Sequence, residues 1–224
     1  MNFIFTHLKK TSGTSLLNAL DLSSFNIMRT RKTWKLKFKT LGKQPFILYG
    51  HKPYGVHKKI FLKAQYFTVL APPLERNISD YYFSKQSKSI NYEHPDWRYT
   101  QLYDIVEFME RGHIKDNYLV RQISGVQRKI LDKSDLELAK YNLKHKYAAF
   151  GLKSQFENNC KLISNLLEVS YEIPEKRYKK TFKEDLPNKT LNRIRKFQEL
   201  DEEFYKFAEE LYQTQNLFIG NKSI

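Results

Sequence analysis

Four short segments, Asn2 to Thr6, Pro45 to Tyr49, Gln65 to Leu70 and Tyr147 to Phe150, are aromatic or β-branched and nearly continuous in apolar character. Apolar runs this short and unbroken fit strands buried on both faces, the signature of parallel sheets. The segments between them have helical spacing. Leu102, Ile105, Val106 and Met109 share one helical face, and Phe156, Cys160, Ile163 and Leu167 share another. Ile194, Phe197, Leu200, Phe204, Phe207 and Leu211 trace the stripe of one long closing helix. Parallel strands need crossover connections, so the pattern predicts an α/β fold with a central, mainly parallel sheet covered on both sides. In such sheets ligands sit at the carboxyl ends of the strands.

A chain of 224 residues buries one sizeable core, and the expected organisation is a single domain over residues 1–224. Cys160 is the only cysteine, which excludes an internal disulfide and a cysteine-rich metal site. No apolar run approaches the roughly 18 to 20 residues of a membrane span. The start of the chain passes from Phe5 into polar Thr6-His7-Leu8-Lys9-Lys10, not into a signal-peptide apolar region. These features lead to the expectation of a cytoplasmic protein. Its 39 Lys and Arg against 24 Asp and Glu give a formal net charge of +15, which attracts anions. Charge alone does not say which anion: a phosphonucleotide, an anionic glycan, a nucleic acid and a lipid surface satisfy the same electrostatics.

The most informative segment follows the first apolar run. Lys9-Lys10-Thr11-Ser12-Gly13-Thr14-Ser15 leads into Leu16, Leu17 and Leu20 at helical spacing, reading as strand, turn and helix start. Small residues let successive N–H groups converge, and hydroxyls add donors, so the segment suits phosphate. It is not the nucleoside-triphosphate loop G-x-x-x-x-G-K-[ST], because its lysine precedes the turn and the flanking glycines are missing.

Phe3 to Ser15 resembles the 5′-phosphosulfate loop, P-K-T-G-G-T-S, of the Golgi-type and bacterial carbohydrate sulfotransferases, with Lys9 at the family's proline. Tyr66 to Phe83 is similar to the family's 3′-phosphate segment, a strand ending in R-D-P followed by x-E-R-x-x-S-x-Y-Y on a helix. Tyr49 to Gly55 resembles the G-H segment that presents a histidine base, and Asp116 to Gly125 and Phe150 to Glu157 resemble later family blocks in the same order. The resemblance implies a three-layer, P-loop-like sulfotransferase fold. It further implies 3′-phosphoadenosine 5′-phosphosulfate (PAPS) as co-substrate, a carbohydrate or carbohydrate-like hydroxyl as acceptor, and no metal. Lys10 and His51 match the catalytic positions; Lys10, Thr11, Ser12, Gly13, Thr14 and Ser15 match the 5′ loop, and Ser79 the 3′ site. Ala71 and Pro72 stand where the family has arginine and aspartate, so the usual 3′-phosphate guanidinium is absent.

Sulfuryl transfer needs a base for the hydroxyl proton and positive charge at the leaving group. His51 fits the first role because imidazole titrates near neutral pH, with His57 as its rival. Lys10 fits the second as a point charge on a flexible stem. Asn117 and Arg121, one helical turn apart, either orient a ligand or form scaffold contacts. The irregular stretch Glu172 to Asn188 carries Lys176, Arg177, Lys179 and Lys180, and is expected to be a basic flap that supplies the missing 3′ charge. Arg29 to Lys43 carries seven cations and no acid and reads as a solvated face, or as an acceptor cleft with Trp34 as a flat apolar surface for a sugar ring. Two alternatives remain: a degenerate relative that binds nucleotide or acidic glycan without turnover, and a basic nucleic-acid-binding module. The second lacks the zinc-finger, recognition-motif and helix-turn-helix signatures that would support it.

Overall fold

The computed structural model describes residues 1–29, 45–59, 63–86, 96–128, 130–174 and 185–220. The elements run β1 (Phe3–Thr6), α1 (Gly13–Ala19), β2 (Asn26–Arg29), β3 (Phe46–Gly50), α2 (Val56–Lys59), β4 (Gln65–Leu70), α3 (Pro73–Gln86), α4 (Trp97–Leu102), α5 (Ile105–Glu110), α6 (Tyr118–Ser124), α7 (Lys133–His145), β5 (Tyr147–Leu152), α8 (Phe156–Leu167), α9 (Asn188–Lys196) and α10 (Glu199–Gly220). The strands form a five-stranded sheet in the order β2-β3-β1-β4-β5, and every pairing is parallel.

Alternation along each strand divides the core between the two faces. Phe3, Phe5, Ile47, Phe67, Val69 and Ala149 meet Leu16 and Ala19 of α1 and Cys160, Ile163 and Leu167 of α8 on one side. Ile4, Leu48, Tyr66, Leu70, Phe150 and Leu152 meet α6, α7 and α10 on the other. The result is helix, sheet and helix in three layers. The β4–β5 register shifts between Tyr66 and Phe67, leaving Ala148 as the extra residue of a bulge. That shift is why Tyr147 and Phe150 face the same layer. A third cluster, Tyr81 and Tyr82 of α3 with Val106, Phe108 and Met109 of α5 and Ile194 of α9, packs the α3–α5 region away from the sheet.

One strand was not foreseen, and two expectations are corrected. Strand β2 (Asn26–Arg29) had no apolar run to announce it; it is an edge strand on which three of four residues are exposed. The helix expected through Leu102, Ile105, Val106 and Met109 is broken: Asp104 stops α4 and caps α5 by accepting from the Val106 and Glu107 N–H groups at 2.8 and 2.9 Å. Leu102 consequently points outward and is 70% exposed. The closing helix is broken at Phe197–Gln198. There the Phe197 carbonyl accepts the Asn117 N–H at 3.1 Å, and the Asn117 side chain accepts from the Leu200 and Asp201 N–H groups at 3.0 and 3.3 Å. Asp201 returns the arrangement, its carboxylate accepting from Leu119 and Val120 at 2.9 and 2.8 Å. Each residue caps the other's helix.

Among the described residues, no helix is long and apolar enough to cross a membrane. Cys160 is buried and free.

Burial raises the Asp201 pKa from 3.8 to about 6, against the lowering effect of its N–H donors. The native state then holds this proton more tightly than the unfolded chain, so the group's contribution to stability is full below the unfolded pKa and falls as pH rises through about 6. Asp201→Ala leaves two buried N–H groups without acceptors and is expected to cost at least ~2 kcal/mol in urea unfolding. The gap between wild type and variant should be wider near pH 4 than near pH 7; a constant gap contradicts the raised pKa.

Candidate functional site

From the central β1 the chain leaves toward β2, and from the adjacent β4 it leaves toward β5. Neighbouring strands with diverging connections open a crevice at their carboxyl ends, the usual ligand position in open parallel sheets. Thr6 and Thr68 lie beneath it. The Thr68 hydroxyl donates to the Thr6 carbonyl at 2.8 Å, and the Thr6 hydroxyl bonds the Tyr147 hydroxyl at 3.0 Å. The loop that follows β1 forms one wall.

In that loop Lys10 and Ser12 have left-handed backbones, with φ of 63° and 65°, on either side of Thr11. Such alternation turns successive N–H groups into one concavity, a geometry that takes anionic oxygens. The buried Thr11 hydroxyl donates to the Leu8 carbonyl at 3.0 Å, so it braces the loop. Thr14 is exposed and Ser15 half-buried on the first turn of α1. Gly13 has a specific reason to be glycine: a Cβ there would lie 2.4 Å from His7 Cδ2 and 2.8 Å from Phe5 Cζ.

Both loop lysines turn toward α3. Lys9 Nζ lies 3.8 Å from Asp80, and Lys10 Nζ sits 4.0 Å above the centroid of Phe83. Arg76, Ser79, Asp80 and Phe83 follow helical spacing on one face of α3. Ser79 is 6% exposed. Arg76 is buried, 4.4 Å over the Tyr118 ring and 4.0 Å from Asp80, and its Nε has no hydrogen-bond partner. Its Nη2 donates to the Asn77 side chain, which donates on to Gln198.

His51 follows β3 at the same edge. Its Nδ1 is 2.6 Å from the His7 carbonyl oxygen; a carbonyl only accepts, so Nδ1 carries the proton and Nε2 is the lone-pair nitrogen. Desolvation lowers the His51 pKa from 6.5, as do Lys9 and Arg29, while the His7 carbonyl and Asp80 oppose them. The imidazole is therefore neutral at neutral pH. His57 is held elsewhere: its Nδ1 lies 2.8 Å from the hydroxyl of Tyr66, near the opposite end of β4.

Asn117 and Arg121 are scaffold contacts. Asn117 makes the cross-cap described above, and Arg121 donates to both carboxylate oxygens of Asp116 at 2.7 and 2.8 Å. Lys176 and Arg177, with Lys179 and Lys180, lie outside the described residues, as do Trp34 and the basic stretch after Arg29. Among the described residues, no group of three or more His, Cys, Asp or Glu is placed to hold a metal ion.

Sequence reading did not single out His7, Arg76, Asp80 or Lys153. Lys153 leaves β5 where Leu152 pairs with Leu70, and therefore lies beside Ala71, itself fully buried. Its Nζ is 2.6 Å from Glu75 Oε1. Only the β4–β5 register brings this residue next to Ala71, the position at which the family that the sequence resembles has arginine. The sequence matches no protein-family model and no curated protein.

Gly13→Ala is expected to destabilise the fold by about 1 to 3 kcal/mol through overpacking against His7 and Phe5. Thermal unfolding reads the effect; unchanged stability contradicts the close approach.

Proposed function

We propose that this protein is a sulfotransferase with a P-loop-like fold that moves a sulfuryl group from PAPS to a hydroxyl of a carbohydrate or carbohydrate-like acceptor. The observation that carries the proposal is the placement of a neutral imidazole with its Nε2 lone pair beside a left-handed, lysine-bearing loop at the switch point of a parallel sheet. The 2-3-1-4-5 strand order and the sequence resemblance support the same reading. A cytoplasmic location belongs to the proposal and rests on the single buried cysteine.

In this mechanism the loop from Lys10 to Ser15 holds the 5′ end of the donor. The acceptor oxygen forms a bond to sulfur as the bond from sulfur to the bridging phosphate oxygen breaks. The hydroxyl proton passes to Nε2 of His51, and the electron pair of the broken bond stays on the leaving phosphate oxygen. Lys10 stabilises that oxygen, for which its ammonium must leave Phe83 and turn across the loop. Asp80 is an unfavourable neighbour for an anion, and Lys9 and Arg76 on either side offset it. Toward the 3′ end, Ser79 offers a hydroxyl and Lys153 a cation where the resembled family has arginine; the charges of Lys176 and Arg177, outside the described residues, remain part of the proposal. Ala71 also favours a second reading, a relative that holds nucleotide or acidic glycan without turnover. Release of adenosine 3′,5′-bisphosphate from PAPS separates the two.

Lys10→Ala should lower kcat far more than it weakens donor binding, because the charge it meets develops in the transition state. His51→Ala should lower kcat by roughly 10² to 10⁴ with nucleotide affinity nearly unchanged, whereas His57→Ala should leave turnover near wild type. The base must be neutral to accept a proton and its pKa lies below 6.5, so the acid limb of kcat/KM should have its midpoint below that value. A midpoint above it, or full turnover without His51, rejects the assignment. Lys153→Ala should weaken adenosine 3′,5′-bisphosphate more than adenosine 5′-phosphate in calorimetry at fixed salt; equal loss argues against a 3′ role.

A further inference from the structure

We propose that His7 is a positioning residue that joins the base to the anion loop and holds His51 in the tautomer and orientation that expose Nε2; this inference rests on the function proposed above. His7 is the first residue after β1, and each of its parts meets a different piece of the site. Its backbone N–H donates to the Gly50 carbonyl at 3.2 Å, fixing the end of β3. Its carbonyl takes the Nδ1 proton of the next residue, His51. Its ring stacks on Phe5 at 5.2 Å and lies 5.1 Å from the His51 ring, tilted by 34°. Its far edge fills the space left by the missing Cβ of Gly13.

The ring is thus wedged between the start of α1 and the base. Removing it opens room into which His51 can rotate, breaking the short bond to the His7 carbonyl even though that carbonyl is still present. Both charge and shape matter. Burial, with His51 and Arg29 nearby, lowers the His7 pKa to about 4, so His7 stays neutral at neutral pH. When His51 takes up a proton it therefore meets no second cationic imidazole. The other charged groups acting on His51 are Lys9 from the loop, Asp80 from α3 and Arg29 from the end of β2.

The test uses the full-length chain with ¹⁵N-labelled histidine, alongside steady-state kinetics with varied PAPS. In the wild type at a pH above both transitions, NMR should find His51 protonated at Nδ1. In His7→Ala, His51 should become a mixture of tautomers, and kcat should fall by about 10- to 100-fold, as small misplacements of reacting groups do. The KM for PAPS and the affinity for adenosine 3′,5′-bisphosphate should change by no more than about twofold, because the loop backbone keeps its contacts. His7→Phe, which keeps a flat neutral ring against Phe5 and His51, should restore both the tautomer and most of kcat. A wild-type His51 already mixed between tautomers overturns the inference, as does a His7→Ala variant with unchanged tautomer and kcat. Nucleotide binding lost in step with kcat assigns His7 a structural role only. If the wild type transfers no sulfuryl group, the proposed function fails, while the tautomer measurement still decides whether His7 positions His51.

Discussion

Everything at the candidate site depends on one constraint: all five strands run the same way. Parallel pairing collects their carboxyl ends on one edge and forces each return connection over a face. Residues distant in sequence, among them His7, His51, Ala71 and Lys153, are therefore delivered to the same edge by four different strands. Apolar layers cover both faces. The loops thus start from strands packed on two sides, the kind of support that a site built on hydrogen bonds as short as the one between His51 and His7 needs.

The electrostatics of the edge are more balanced than a net charge of +15 suggests. Asp80 faces Lys9 and Arg76, and Glu75 faces Lys153, so these three cations already have carboxylate neighbours. A ligand anion competes with these carboxylates. Arg76 differs from the others in being buried: it lies over the Tyr118 ring, and its Nε has no hydrogen-bond partner.

Much of this was legible in the sequence. Strands β1, β3, β4 and β5 were, because strands buried on both faces carry continuous apolar runs; β2 was not, because three of its four residues are exposed. The two broken helices show a different limit. Helical periodicity carries straight through Tyr103 and Phe197, and the breaks come from hydrogen bonds that Asp104 and Asn117 make, the latter across more than eighty residues of chain. The β1–α1 loop and His51 stood out as candidates in the sequence through residue type, order and resemblance. His7 and Lys153 did not, because their significance lies in a ring packed against Gly13 and a strand register placed beside Ala71.

The cross-cap between Asn117 and Asp201 bears on how the chain is made. Strand β1 is made before β3 and β4 yet lies between them, so it has no partner until they follow. The N–H groups that open α6 wait longer still, for acceptors on residue 201. The start of α6 thus stays without these acceptors until residues more than eighty positions further along have been made. Contacts this far apart in sequence slow folding.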